Sequence, residues 1–84
     1  MFYVYLIKSL RDKTTYIGFT DNILGRIKKH NKGKVSYTSK HKPYRLIYYE
    51  AYLSSKDARS REQKLKVNGG QRDFLKDNLK DSLK

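Results

Sequence analysis

The run from Phe2 to Lys8 is aromatic or aliphatic on both alternating faces up to its closing lysine. Successive side chains of a strand point to opposite sides of the sheet, so such a run must be covered above and below. It predicts a central strand, and that requirement constrains the rest of the chain. Ser9 to Lys13 is short and polar, which reads as a hairpin loop and demands antiparallel pairing. Thr14 to Thr20 is the expected second strand. Gly18 within it signals a bulge or the close approach of another group to the backbone.

Thr20 or Asp21 is placed to cap a helix running to about Asn31, with Gly33 ending it. Gly33 to Pro43 shows no period and carries Lys34, Lys40, His41 and Lys42, so it reads as an exposed basic loop. Tyr44 to Leu53 is a third strand. Ser54 or Ser55 caps a helix that stops before Gly69-Gly70. Gln71 to Leu83 has Phe74, Leu75 and Leu79 at amphipathic spacing, giving a last helix. The expected fold class is α+β: a small three-stranded antiparallel sheet flanked by helices, in the order β-β-α-β-α-α. At 84 residues the chain is expected to form one domain, residues 1–84.

Lys and Arg number 20 against 8 Asp and Glu, a net charge of +12. Such a surface attracts polyanions, nucleic acid first and anionic membrane second. Eight tyrosines add aromatic faces on which bases can stack. There are no cysteines, which excludes disulfides and thiolate-bound zinc and fits a reducing, cytoplasmic setting. Met1 to Ile7 has no basic n-region, which argues against a signal peptide. No run approaches the roughly 20 apolar residues of a membrane span. No Gly-rich phosphate loop or Cys/His cluster is present, so no small-molecule cofactor is expected.

A few residues sit oddly for purely structural roles. On the first helix Ile23, Leu24 and Ile27 form the expected buried stripe, with His30 at its edge and Arg26 beside it. Arg26 and His30 are four apart, so their side chains meet. On the next helix Glu62 lies between the inward residues Ala58 and Leu65, whereas Arg59 projects away from that face. An inward carboxylate must be paired, hydrogen-bonded or metal-bound; the plainest partner is Lys66, one turn on. Tyr5 and Tyr16 fall in the hairpin strands. If the pairs are centred between Leu10 and Arg11 they face each other directly; a slip of two keeps them on one face, and a slip of one separates them.

These residues, taken in order, resemble the signature of the GIY-YIG nucleases. Tyr16-Ile17-Gly18 is the literal second tripeptide. Tyr3-Val4-Tyr5 is the first, departing at Tyr3 and Val4 but keeping its final tyrosine. Arg26 follows Tyr16 by ten positions, His30 follows four later, and Glu62 stands on a later helix, as the family pattern has them. The chain looks most like short stand-alone members similar to the nuclease module of the bacterial excision-repair incision subunit. Many members carry an asparagine about a dozen residues after the glutamate. Phe74 stands there, and neither Asn68 nor Asn78 matches the spacing.

The resemblance implies divalent-metal-dependent hydrolysis of nucleic-acid phosphodiester bonds, DNA favoured over RNA. It makes Tyr5, Tyr16, Arg26, His30 and Glu62 the catalytic set, with Glu62 the ligand of one magnesium or manganese ion. Magnesium often takes one or two carboxylates and fills its shell with water and phosphate oxygens, so one glutamate suffices. Arg26 can fork onto a phosphate oxygen. The family's base is a tyrosine; Tyr16 is favoured here, with Tyr5 ordering the water and His30 accepting or relaying a proton. Lys34, Lys40 and Lys42 are expected to bind nucleic acid. A non-catalytic basic nucleic-acid-binding module is the competing class, but it gives no reason for an inward Glu62 or for Arg26 beside His30. An anionic-lipid binder would need a broad apolar helix face with a bulky aromatic anchor, which is missing.

Overall fold

A computed structural model describes residues 1–84. The strands are β1 (Phe2–Ser9), β2 (Thr15–Thr20) and β3 (Tyr44–Tyr52); the helices are α1 (Ile23–Asn31), α2 (Ser55–Val67) and α3 (Gly69–Asn78). The sheet order is β2-β1-β3, antiparallel throughout, so the doubly apolar strand is central as its pattern requires.

The two faces of β1 feed two cores. Val4 and Leu6 pack with Ile17 against Ala58 and Leu65 of α2 and Leu75 of α3. Tyr5 and Ile7 pack with Tyr44 against Ile23 and Ile27 of α1. The sheet is therefore sandwiched, α1 on one side and α2 with α3 on the other. Glu50 ties β3 to the second layer: its carboxylate accepts two bonds from Arg61 at 2.9 and 3.0 Å and others from the hydroxyls of Tyr48 and Tyr52.

Several local expectations are corrected. Tyr5 does not face Tyr16 across the hairpin. The observed partners are Tyr5 with Gly18 and Ile7 with Tyr16, a slip of two that keeps both tyrosines on the α1 face. The cap of α1 is Asn22, whose side-chain oxygen accepts from the Gly25 N–H at 3.1 Å, while the Thr20 hydroxyl accepts from the Asn22 N–H at 3.0 Å. Leu24 is 75% exposed and the buried member of α1 is His30, so the inward stripe is Ile23, Ile27 and His30. The first helix does close at Gly33, which has φ +74° and donates to the His30 carbonyl.

Gly69-Gly70 begins α3 rather than preceding it, because Asn68 caps the helix through the Gln71 N–H at 3.0 Å. That helix stops at Asn78, and Phe74 faces solvent while Leu75 is buried. The basic loop is not featureless either. It holds a short 3₁₀ turn, Ser39–His41, and Thr38 beside it is fully buried.

Candidate active site

The register of the hairpin builds the site. Tyr5 stands on the central strand opposite Gly18, which has no side chain to block it. A Cβ at Gly18 would collide with the Tyr5 hydroxyl and ring, so glycine there lets the phenol lie across β2. The hydroxyl thereby reaches α1 and meets two residues one turn apart: His30 Nε2 at 2.8 Å and Arg26 Nε at 3.4 Å.

His30 is wholly buried, and its other ring nitrogen, Nδ1, lies 2.6 Å from the Thr38 hydroxyl. Burial, aided by the positive charge of Arg26, lowers its pKa to about 4. The imidazole is therefore neutral at physiological pH, with one donor and one acceptor nitrogen. The Thr38 hydroxyl donates its proton to the Val35 carbonyl at 3.3 Å, so toward His30 it accepts. With the hydrogen on Nδ1, Nε2 is free to accept from the Tyr5 hydroxyl. Burial pushes the Tyr5 phenol up to about 12, against the lowering effect of Arg26. Tyr5 is thus a neutral phenol with a proton acceptor already in place. Thr38 escaped the sequence reading because it lies in an aperiodic basic stretch; only contact with His30 gives it meaning.

Tyr16 is on the same face, its ring centroid 6.4 Å from that of Tyr5 and 5.3 Å from that of His30. Its ring packs against Tyr37 at 5.5 Å, and the Lys66 ammonium lies 5.1 Å over it. Glu62 comes from α2, close enough for its charge to raise the Tyr5 pKa. One carboxylate oxygen pairs with Lys66 at 3.1 Å, and the glutamate side chain is 20% exposed. No group of three or more His, Asp or Glu side chains converges anywhere in the chain, so Glu62 would serve a metal as a lone protein ligand. That donor set suits a hard cation that keeps most of its water. Lys34, Lys40 and Lys42 are all exposed on the loop that carries Thr38, the Lys42 side chain lying against Gly33.

Residues 1–73 match the model of the GIY-YIG catalytic domain. The chain belongs to the GIY-YIG family. Among similar proteins is a UPF0213 protein of Pediococcus pentosaceus, 38% identical over 80 residues, 92% of this chain and 83% of that one. Another, from Clostridium perfringens, is 40% identical over 67 residues, covering 79% and 71%. The solution NMR structure of a UPF0213 protein from Bacillus halodurans is 32% identical, with a TM-score of 0.53 over 89% of this chain and 83% of that one. This GIY-YIG domain is therefore of the nuclease class, and nucleic acid is its class of substrate. The departures in its first tripeptide are accommodated locally. Tyr3 packs edge-on against Tyr49 with ring centroids 5.7 Å apart, and Val4 fills the opposite core.

Proposed function

We propose that the protein is a divalent-metal-dependent endonuclease acting in the cytoplasm, with DNA the favoured substrate, and that Tyr5 works as its base through His30. The observation that carries this reading is the chain of contacts Thr38–His30–Tyr5–Arg26, laid across Gly18, with the charge of Glu62 near enough to act on Tyr5. It moves the base from Tyr16, favoured on the sequence, to Tyr5, because Tyr5 is the phenol hydrogen-bonded to a neutral imidazole. A purely binding module would have no use for that chain.

Tyr5 is too weak an acid to form a free phenolate near neutral pH. Its oxygen takes a proton from the attacking water while its own proton passes to His30 Nε2, so neither charge accumulates on the phenol. Arg26 holds a phosphoryl oxygen and steadies the charge that develops there. Tyr16 packs beside Tyr5 and His30 and orders the water. Glu62 would hold the metal by a carboxylate oxygen, releasing Lys66 to the phosphate backbone. A bound magnesium or manganese ion would supply Lewis acidity at the phosphoryl group. Lys34, Lys40 and Lys42 bind flanking phosphates.

The test is a panel of labelled DNA and RNA, duplex, branched and single-stranded, incubated with magnesium, manganese or chelator. The reading requires cutting with either metal, none in chelator, and a large loss in Tyr5→Phe. Binding without cutting under every condition would leave the non-catalytic module instead.

A further inference from the structure

Two basic cavities open at opposite ends of β2, one of the two edge strands of the sheet. One, of about 580 Å³, is lined by Phe2, Phe19, Arg26, Lys29 and Arg59, among others. The other, of about 560 Å³, is lined by Tyr16, Tyr37, Lys66, Arg72 and Lys76, together with Thr15 and Ile17. Each borrows a residue from the candidate active site, Arg26 in the first and Tyr16 in the second. Between them, at the middle of β2, Tyr5 lies over Gly18.

The helix running alongside repeats the pattern. Arg59, Glu62 and Lys66 follow one another at spacings of three and four, which places them along one stripe of α2. Arg59 is exposed, as its place in the sequence predicted, and its guanidinium lies 4.2 Å over the Phe19 ring. Lys66 is over Tyr16 at the other end of the strand. The carboxylate assigned to the metal is thus flanked on both sides by cations, each seated on an aromatic ring of β2.

We propose that this edge is a nucleic-acid track about five nucleotides long, with the scissile phosphate at its centre and a basic–aromatic subsite at each end. The length follows from two independent rulers. Five residue steps along β2 cover roughly 17 Å, and the eleven steps from Ser55 to Lys66 on α2 cover roughly 16 Å. One strand of a stacked helix advances about 3.4 Å per nucleotide along its axis. Lys29 and Arg59 hold phosphates on one side of the cut, and Lys66 and Lys76 hold them on the other. Tyr37, 77% exposed, offers its ring to a base, while Phe2 and Phe19, stacked with centroids 6.1 Å apart, offer edges. The middle of the track, over Gly18, is taken by the Tyr5 phenol.

The proposal rests on the nuclease reading above, so the experiment separates the two. The ¹⁵N-labelled protein is titrated in chelator with a deoxyadenosine pentanucleotide, whose bases stay stacked, and cutting is assayed separately in magnesium. Amides around Phe19, Lys29 and Arg59 and around Tyr37, Lys66 and Lys76 are expected to shift together with a single Kd. The Glu50–Arg61 face should stay still. A dinucleotide, too short to reach both ends, should bind several-fold more weakly. Lys29→Gln with Arg59→Gln should erase the shifts at the first end; Arg59→Lys, which keeps the charge, should restore much of the affinity. Lys66→Gln with Lys76→Gln should do the same at the second end, leaving Arg72 to hold the Leu65 and Lys66 carbonyls. Each phosphate left without its cation should reduce the log–log salt slope by about 0.7 on a single strand. Shifts confined to one cavity, or pair substitutions that weaken both ends alike, would overturn the track. Shifts at both ends without cutting in magnesium would uphold the track and overturn the nuclease reading.

Discussion

Thr38 and His30 touch through a single 2.6 Å hydrogen bond between a buried hydroxyl and ring Nδ1, and that bond sets which nitrogen faces Tyr5. Thr38 makes no hydrogen bond to the phenol, so it is a positioning residue. Thr38→Val keeps the shape but removes the acceptor, leaving the Nδ1 hydrogen buried and unpaired. The ring would then favour the other tautomer or tilt away, at a cost of about 1–3 kcal/mol in stability. Cutting should fall by about 10²-fold or more, in the range of acid–base assistance. Thr38→Ser should recover both. Nitrogen chemical shifts of His30 report the tautomer directly; if they are unchanged in Thr38→Val, the positioning role is wrong.

His30 also gives the protein a pH signature. In the unfolded chain the imidazole takes up a proton near its ordinary value of 6.5; in the folded protein this is delayed to about 4. Between those values the unfolded chain binds more protons, so the contribution is complete above the upper value and is lost as pH falls toward the lower. The full effect is at most roughly 3 kcal/mol. Urea unfolding at intervals from about pH 7 to 4.5 should show the decline, and His30→Gln should flatten it. An equally steep decline in the variant would assign the acid sensitivity elsewhere.

Gly18 offers a direct test of how Tyr5 is seated. Gly18→Ala places a methyl where the Tyr5 hydroxyl and ring lie, and Tyr5 has no room to retreat because it is only 1% exposed. A stability loss of about 1–3 kcal/mol is expected, along with loss of the His30 hydrogen bond. Adding Tyr5→Phe removes the hydroxyl and should make the double variant more stable than the sum of single losses predicts. Strict additivity would show that the two residues do not meet.

The central strand was legible because its pattern admits one solution: an apolar residue on each face needs a layer on each side. The same applies to Ala58 and Leu65, whose helical spacing put them on the observed inward face, with Glu62 partly buried at its margin. Register was less legible. Local alternation fixes which face a tyrosine takes but not a slip of two, and here the slip was set by the need of Tyr5 for a partner without a side chain. Leu24 misled for another reason. It fits a helical stripe as well as His30 does, and hydrophobicity alone ranks it higher, yet the buried position belongs to the histidine because Tyr5 and Thr38 satisfy both its nitrogens. Such polar pairings join residues 25 and 8 positions apart, which no local period encodes.

The loop lysines are tested by salt. If Lys34, Lys40 and Lys42 neutralise phosphates, replacing all three by glutamine should weaken duplex binding. The log–log salt slope should fall by about 0.9 for every phosphate no longer neutralised. Their loop is also pinned to the hairpin, since His41 pairs with Asp12 and the Leu10 N–H donates to the Pro43 carbonyl at 2.8 Å. The triple substitution leaves those links intact, so the melting temperature should hardly move. An unchanged slope would remove the loop from the binding surface.

Glu62→Gln discriminates between the two fates open to that carboxylate. In the structure its partner is Lys66, whose side chain is 41% exposed. A pair so open to water contributes about 1 kcal/mol at most, because both charges are well solvated when apart. If pairing with Lys66 were its whole purpose, the glutamine variant would lose that small stability and cut at the normal rate. If Glu62 holds the metal, the amide keeps size and polarity but not the negative charge that retains a divalent ion. Cutting in magnesium should then fall by orders of magnitude, while folding and oligonucleotide affinity change little. Lys66→Gln supplies the opposite case: it frees the carboxylate, so magnesium binding measured by calorimetry should tighten while affinity for nucleic acid drops. A Glu62→Gln protein that still cuts at the wild-type rate in magnesium, and not in chelator, would end its assignment as the ligand.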